Sequence, residues 1–295
     1  MHTTRLALTL LGGIALAVGG CAPAEAPSTA TSAASSGVPA SASPAACAKD
    51  TLALKMPGML TVGTDNPAYE PWFSDNTPGN GKGFESAVAY AVAAKLGFAA
   101  AEVHWVTVSF NAATAPGPKT FDIDINQVSI TEERRKGVDF SSGYYDVTQA
   151  LVTIKGSRIA GAKSLADLAG AKLGAQVGTT SYTTITDVIK PTAKPAVFNT
   201  NDDAKLALGN GQIDGLVVDL PTALFLANAD LKNGVLVGQF ANAGGTPEQF
   251  GLVLDLNSTL TPCVSAAVDA LRADGTLKKL EEQWLTASAG APVLQ

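Results

Sequence analysis

The alternation of short β-rich runs with helical patterns is the feature that most constrains how this chain can fold. In the first half, strand-like runs at residues 59–63, 103–108 and 121–128 flank a helical pattern at residues 84–98 that closes at Gly97. Strands that alternate with helices are typical of the α/β class, because the helices cover sheet faces that the strands alone leave exposed. The sequence therefore predicts an α/β fold.

The same pattern returns in the second half of the chain. Strand-like runs occur at residues 172–177, 195–198 and 215–219, and helical patterns follow Thr179 and span residues 202–211. These segments predict a second sheet with its own helices.

Two apolar, β-prone segments lie where the halves meet, at residues 149–157 and 250–258. If both cross between the halves, residues 47–152 plus 252–295 form the first lobe and residues 153–251 form the second. The predicted architecture is therefore two lobes joined by two crossover strands, with a ligand cleft between the lobes.

The first 46 residues are predicted to lie outside the folded part. Residues 1–20 contain Arg5 and then an apolar run too short for a comfortable membrane span, which is typical of a signal peptide. Small residues then lead into Cys21, a pattern similar to the lipobox of bacterial lipoproteins, in which the cysteine is lipidated; the alternative is a free secreted protein with an incidental cysteine. Residues 21–46 are almost all Ala, Pro, Ser and Thr, which predicts a disordered tether.

Two further cysteines, Cys47 and Cys263, remain if Cys21 carries lipid. In an oxidising compartment such a pair predicts a disulfide, with two free thiols as the alternative. Even with His104, the only histidine after the signal, they provide too few ligands for a structural zinc site, so no metal is expected.

Composition and motifs argue against several function classes. The chain of 295 residues carries a formal net charge of -6, which leaves no basic footprint for nucleic acid. It has no nucleophile elbow, P-loop or H-E-x-x-H motif, and the glycines of residues 79–83 do not follow a strand. Neither a cofactor nor an enzymatic activity is expected.

Several sequence blocks occur in a fixed order that resembles the family 3 bacterial extracellular solute-binding proteins, the polar amino-acid receptors of ABC importers. The resemblance runs from about Leu60 to Trp284. It is carried by GTDNPAYEPW (63–72), GKGFESAVAYAVAAKLGF (81–98), SITEERRKGVDFSSGYY (129–145), SLADLAGAKLGAQVGTT (164–180), LGNGQIDGLVVD (208–219) and DGTLKKLEEQW (274–284).

This resemblance implies a periplasmic-binding-protein-like (type II) fold that closes like a hinge on a small zwitterionic solute, most often an amino acid. It implies delivery to an ABC permease and its ATPase. With the lipobox, it places a monomeric receptor at the outer face of the bacterial cell membrane, held by a lipid anchor.

The resemblance also implies the two poles of a ligand site. Arg134, at the start of a short helix after Ser129, would bind the ligand carboxylate, since a guanidinium makes two parallel bonds to that group. Asp219 would accept the ligand ammonium from the second lobe. The alternatives are a surface ion pair of Arg134 with Glu132 or Glu133, and a helix N-cap at Asp219.

Hydroxyl and aromatic residues complete the predicted site. Thr179 and Thr180 match the loop that closes over the carboxylate, with helix capping as the alternative. Tyr69, Trp72 and Phe110 match ring positions that stack on the ligand side chain, with core packing as the alternative.

One acidic residue and two amide residues give conflicting indications of the ligand side chain. Asp65 matches a position that contacts cationic side chains, whereas Asn126 and Gln127 could read an amide or hydroxyl, or simply satisfy buried backbone. The sequence therefore leaves a cationic and a polar neutral amino acid open.

The chain departs from the family pattern in its first half. Pro116, Gly117 and Pro118 would break the helix that many relatives have there, Asp124 makes the cleft floor more polar, and Gly143 replaces a proline. One enzyme alternative remains, a secreted cyclohexadienyl-dehydratase-like protein. It would use Glu70 or Asp124 for proton transfer.

Overall fold

The computed structural model describes residues 47–241, 247–285 and 290–295. The predicted signal peptide, the lipidation site at Cys21 and the tether lie outside the described residues. In the part of the chain that is described, no helix is both long enough and apolar enough to cross a membrane.

Short strands and helices alternate along the chain, as the sequence predicts. The strands are β1 (Leu60–Thr64), β2 (Val103–Thr107), β3 (Ile123–Asp124), β4 (Val138–Phe140), β5 (Tyr145–Val147), β6 (Gln149–Ile154), β7 (Leu173–Gln176), β8 (Ala196–Phe198), β9 (Gly215–Asp219), β10 (Gly234–Phe240), β11 (Glu248–Phe250), β12 (Val253–Asp255) and β13 (Val293–Leu294). The helices are α1 (Phe84–Lys95), α2 (Phe110–Thr114), α3 (Thr180–Thr184), α4 (Asn201–Gly209), α5 (Leu220–Phe225), α6 (Thr261–Ala273) and α7 (Thr276–Trp284).

The strands form two main sheets, one in each lobe. The first sheet has the order β2-β1-β3-β12-β4, and its β1, β2 and β3 run parallel. The second has the order β13-β10-β6-β9-β7-β8, and its β7, β8 and β9 run parallel. This arrangement confirms the predicted two-lobed α/β fold of type II.

The crossing between the lobes lies slightly earlier than the sequence suggests. The segment predicted at residues 149–157 holds β6, which belongs to the second sheet, and the one at residues 250–258 holds β12, which belongs to the first. Between the sheets, β5 and β11 pair antiparallel, with Tyr145 opposite Phe250 and Val147 opposite Glu248. This two-stranded ribbon connects the lobes.

The first lobe packs around aromatic residues and helix α1. The rings of Trp72, Phe84, Tyr145 and Phe250 contact one another, with centroids 5.4 to 6.1 Å apart. A Cβ at Gly83 would lie 2.5 Å from the Trp72 carbonyl oxygen, so only glycine allows α1 to begin this close to the preceding loop.

The second lobe has smaller, mainly aliphatic cores on the two faces of its sheet. One includes Leu151, Leu173 and Val217, and the other includes Val152 and Leu216. Neighbouring residues along β6 and β9 thus point to opposite faces, as strand geometry requires.

Two features concern the ends of the described chain. Cys47 and Cys263 form the predicted disulfide, with Cα atoms 5.4 Å apart, and it attaches the start of the described chain to α6. Strand β13 pairs with β10 in the second sheet, although the predicted lobe boundaries assign it to the first. Those boundaries remain a prediction.

One predicted strand is much shorter than expected. The run at residues 121–128 contributes only Ile123 and Asp124 to the sheet, and Gln127 has a left-handed backbone with φ 49°. The chain leaves the sheet after Asp124, and Asn126 and Gln127 line the cavity.

Candidate functional site

A cavity lies between the lobes at the carboxyl ends of the parallel strands. Asp65 follows β1, Phe110 begins α2 just after β2, and Gln176 and Asp219 end β7 and β9. In α/β sheets this is the edge where ligands bind, because loops there converge from several strands. The lining residues are Asp65, Tyr69, Phe110, Asn126, Gln127, Ser129, Arg134, Gln176, Thr179, Thr180, Ser181, Asn201, Val218 and Asp219.

Arg134 is held in the cavity by its own lobe and by the second lobe. Its Nη1 donates to the Ser129 carbonyl oxygen at 2.6 Å and its Nη2 to the Gly178 carbonyl oxygen at 3.0 Å. Its guanidinium carbon lies 5.2 Å from the centre of the Phe110 ring. Burial lowers the pKa of Arg134, while the carboxylates of Glu248 and Asp219 act in the opposite direction.

The alternative of a surface ion pair fits the neighbours of Arg134 instead. Glu132 lies 3.8 Å from Arg135, and Glu133 pairs with Lys136. Among the described residues, Arg134 makes no ion pair within 4.0 Å. Its helix is a single turn, Arg134–Lys136, too short to add much dipole charge.

Asp65 and two rings form one side of the cavity. The Asp65 carboxylate accepts the backbone N–H of Asn66 at 2.7 Å and of Phe110 at 3.2 Å. Burial, with the negative charge of Asp202 in the second lobe, raises the pKa of Tyr69. Tyr69 therefore stays a neutral phenol that can donate a hydrogen bond.

The cavity floor is supported from below by a buried acid. Glu85 accepts the backbone N–H of Gln127 at 2.8 Å, and it also bonds the Gln127 side-chain amide and the Tyr144 hydroxyl. Burial raises the pKa of Glu85 to about 7. Since its side chain is held by Glu85, Gln127 presents mainly backbone to the cavity, whereas the Asn126 amide nitrogen is buried without a protein partner.

The second lobe contributes polar groups at the starts of two helices. Thr179 caps α3, where its hydroxyl oxygen accepts the N–H of Tyr182 at 3.3 Å. Asp219 is the N-cap residue of α5, yet its side chain makes no capping bond and accepts instead from Gln149 Nε2 at 2.7 Å. The capping alternative thus describes Thr179 but not the Asp219 carboxylate.

Hydrogen bonds link the lobes around the cavity. The hydroxyls of Ser129 and Thr180 lie 3.3 Å apart, and Ser129 also donates to Glu248 on the connecting ribbon. Trp72 Nε1 donates to Thr222 Oγ1 at 2.9 Å. The two lobes are therefore joined by hydrogen bonds at two separate places.

All the residues predicted from sequence to bind the ligand line this cavity except Trp72. The Trp72 side chain is fully buried in the core of the first lobe, and its Nε1 donates to Thr222 of the second lobe. Core packing, the alternative for this residue, describes its position.

Sequence reasoning missed four residues of the second lobe that line the cavity, Gln176, Ser181, Asn201 and Val218. Gln176 and Val218 carry no recognisable signal, because they read as ordinary strand residues. Ser181 and Asn201 lie in the first turns of helices that threonines cap, and a search of the residues just after such caps could have found them.

The segment after β2 is a short helix followed by a buried lysine. Ser109 caps α2, and the helix ends before Pro116, as the prolines predict. Lys119 Nζ donates to the Ala112 carbonyl oxygen at 3.1 Å and also to that of Ala115, which satisfies carbonyls at the end of the helix.

The two proposed proton-transfer residues lie away from the cavity lining. Asp124 is fully buried, both of its carboxylate oxygens lack a protein partner, and burial raises its pKa well above the usual range. Glu70 accepts the backbone N–H of Asp75 at 3.3 Å. At the third departure, Gly143, a Cβ would lie 2.8 Å from the Gln249 side chain, so the residue is kept small by close packing.

Comparison with known proteins agrees with this architecture. An L-arginine-binding protein of Pseudomonas aeruginosa is 29% identical over 250 residues, which cover 80% of this chain and 94% of that protein. A probable histidine-binding protein of Campylobacter jejuni is 32% identical over 224 residues, which cover 73% of this chain and 80% of that protein.

Solved structures of amino-acid-binding proteins also resemble this chain. An ancestral arginine-binding protein bound to arginine superposes with a TM-score of 0.64 at 33% identity, covering 78% of this chain and 99% of that chain. The ancestral amino-acid-binding protein AncCDT-1, a precursor of cyclohexadienyl dehydratase, gives 0.62 at 31% identity, covering 77% of this chain and 95% of that chain.

The model of one protein family matches residues 60–287, which include every cavity-lining residue and every strand of the two sheets except β13. With a two-lobed fold and a polar cavity at the carboxyl ends of its parallel strands, this chain belongs to the bacterial extracellular solute-binding proteins, family 3.

Proposed function

We propose that this protein is the receptor of an ABC importer and that it binds an amino acid with a cationic side chain between its two lobes. One observation carries the proposal: Arg134 from the first lobe and Asp219 from the second face the same cavity. A zwitterion needs a cation for its carboxylate and an anion for its ammonium, and only a ligand that bridges both lobes stabilises the closed state.

The charges around the cavity support a cationic side chain. Asp65 and Asp219 line the cavity with Arg134 as the cation, and Glu248 lies behind them. A ligand with a neutral side chain would leave Asp65 uncompensated, whereas an arginine or lysine side chain would pair with it. The Gln127 side-chain amide is already hydrogen-bonded to Glu85, so it does not favour a ligand with a neutral amide. The arginine- and histidine-binding relatives support the same choice.

We further propose a monomer, anchored through lipid on Cys21, that passes its ligand to a permease with its ATPase. Two further relatives are named as ABC transporter binding proteins, one for arginine and one for glutamine. We propose no enzymatic activity for this chain, since neither Glu70 nor Asp124 lines the cavity, and we expect no turnover of arogenate or prephenate.

The test is a calorimetric titration of the purified protein with L-arginine, L-lysine, L-histidine, L-glutamine and L-glutamate. We expect the cationic amino acids to bind at least tenfold more tightly than L-glutamine, because one uncompensated charge is worth more than about 1.4 kcal/mol in a partly buried site. Tighter binding of L-glutamine would overturn the cationic assignment, and no binding of any amino acid would overturn the receptor function.

A further inference from the structure

The side chain of Gln149 lies directly behind Asp219, outside the cavity lining. Gln149 is the first residue of β6, is 3% exposed, and stands opposite Asp219 in the antiparallel pair of β6 and β9. Opposed residues in such a pair have neighbouring side chains. Its Nε2 donates to Asp219 Oδ1 at 2.7 Å.

The orientation of the Gln149 amide is set by its other neighbours. Ser181 Oγ donates to the Gln149 Oε1 at 2.6 Å, so the oxygen end is already assigned to a donor. The nitrogen end faces Asp219 and, at 3.4 Å from each carboxylate oxygen, Glu248. A flipped amide would place its oxygen against both carboxylates, which cannot donate to it when ionised.

Asp219 depends on this amide for its direction. An aspartate at a helix N-cap ordinarily turns back to accept a backbone N–H, yet the Asp219 side chain makes no such bond to α5. The bond from Gln149 occupies Oδ1, and among the described residues Oδ2 makes no hydrogen bond. The carboxylate is thus held at the cavity with one oxygen available for a ligand.

We propose that Gln149 is a positioning residue that aims the Asp219 carboxylate at the ligand ammonium, with Ser181 and Glu248 fixing the direction of its amide. This inference rests on the proposed function. Gln149 itself does not line the cavity, so it acts on the ligand only through Asp219.

The charged surroundings of Asp219 give the proposal a second readout. Burial and the carboxylates of Glu248 and Glu85 raise the pKa of Asp219 to about 8, while the bond from Gln149 and the charge of Arg134 act in the opposite direction. Asp219 must be ionised to accept an ammonium. Loss of the Gln149 bond therefore moves the rise of affinity with pH to higher pH.

The experiment compares Gln149→Leu, Asp219→Asn and the double variant, with L-arginine and L-glutamine as probes in calorimetry from pH 6 to 8.5. We expect Gln149→Leu to raise the Kd of both probes by a similar factor, about 10- to 100-fold at pH 7, because both carry the same ammonium. The loss shrinks as the pH rises. In the Asp219→Asn background, Gln149→Leu changes Kd less than threefold.

A matched control and a milder variant keep the test decisive. Gln239→Leu removes another partly buried amide of the same sheet, which bonds Thr148 and the Ala291 carbonyl, and leaves both Kd values within twofold. If Gln149→Leu does not fold, Gln149→Asn keeps an amide but shortens the side chain by one methylene, which withdraws the amide from Asp219 and raises Kd about three- to tenfold.

Two results would overturn the inference while leaving the proposed function in place. One is wild-type binding of L-arginine together with unchanged affinity in Gln149→Leu. The other is a loss that multiplies fully with that of Asp219→Asn, which indicates a general structural role. Absence of amino-acid binding by the wild type overturns the proposed function itself.

Discussion

Arg134 in the first lobe and Asp219 in the second face one cavity from very different surroundings. Arg134 stacks on Phe110 and donates to two backbone carbonyls, so its position depends on ring packing and main chain. Asp219 depends on a chain of side-chain hydrogen bonds through Gln149. The first lobe is thus a platform packed on aromatic side chains, and the second supplies polar groups whose direction other polar groups set.

The largest expected effect comes from removing the Arg134 side chain of the first lobe. Arg134→Ala should weaken the binding of L-arginine by about 3 to 5 kcal/mol, because it leaves the ligand carboxylate desolvated without a cation. The measurement is calorimetry at pH 7. Arg135→Ala is the matched control, since Arg135 is more exposed, beside Glu132 and over the Phe140 ring. Equal losses for the two variants would refute the assignment of Arg134.

Removing the disulfide separates stability from binding. The double variant Cys47→Ser and Cys263→Ser should lower the free energy of unfolding by about 2 to 5 kcal/mol, since the bond constrains an unfolded chain across a separation of 216 residues. Denaturant melts measure this. The affinity for L-arginine should stay within twofold, because neither cysteine lines the cavity. A large loss of affinity would contradict this prediction and show that removal of the disulfide also distorts the binding site.

The two lobes also differ in where a buried acid lies, since Glu85 of the first lobe lies behind the cavity lining and Asp219 of the second is part of it. Burial raises the pKa of Glu85 from 4.5 to about 7, so the folded state holds a proton that the unfolded state has released between these values. Its contribution therefore decreases stability as the pH rises from 4.5 through 7, by at most about 3 kcal/mol.

Denaturant melts at several pH values check this sign. Glu85→Gln should remove that part of the pH dependence, while the exposed Glu282→Gln should leave it in place. If the free energy of unfolding varies with pH in the same way for the wild type and for Glu85→Gln, the Glu85 carboxyl has the same pKa in the folded and unfolded chains, and the prediction is wrong.

The smallest effect concerns the link between the lobes. Trp72→Phe removes the bond to Thr222 and should weaken every ligand alike by about 1 kcal/mol, because the bond favours contact between the lobes without touching the cavity. Calorimetry with L-arginine and L-glutamine measures this. Trp105→Phe is the control, since its Nε1 donates to Tyr90 within the first lobe, 3.3 Å away. A change in the ratio of the two affinities would contradict the prediction that Trp72 affects binding only by favouring contact between the lobes.

Much of the fold and part of the site follow from local sequence patterns. The helix at residues 84–95 and the strand that ends at Asp219 lie where their periodicity predicts. Arg134 and Asp65 could be proposed because they match positions in the motif blocks of the family that the sequence resembles. Trp72 could not be placed, because a loop aromatic reads the same whether it faces a ligand or a core.

The sequence by itself determined the α/β class, two lobes, an extracellular solute-binding family and the cysteine pair, because these depend on periodicity, composition and motif order along the chain. Only the tertiary structure decided that Trp72 is core, that Glu85 supports Gln127, and that Gln149 directs Asp219. Those contacts join residues 42 to 150 positions apart, and hydrogen-bond direction between such residues has no local signature.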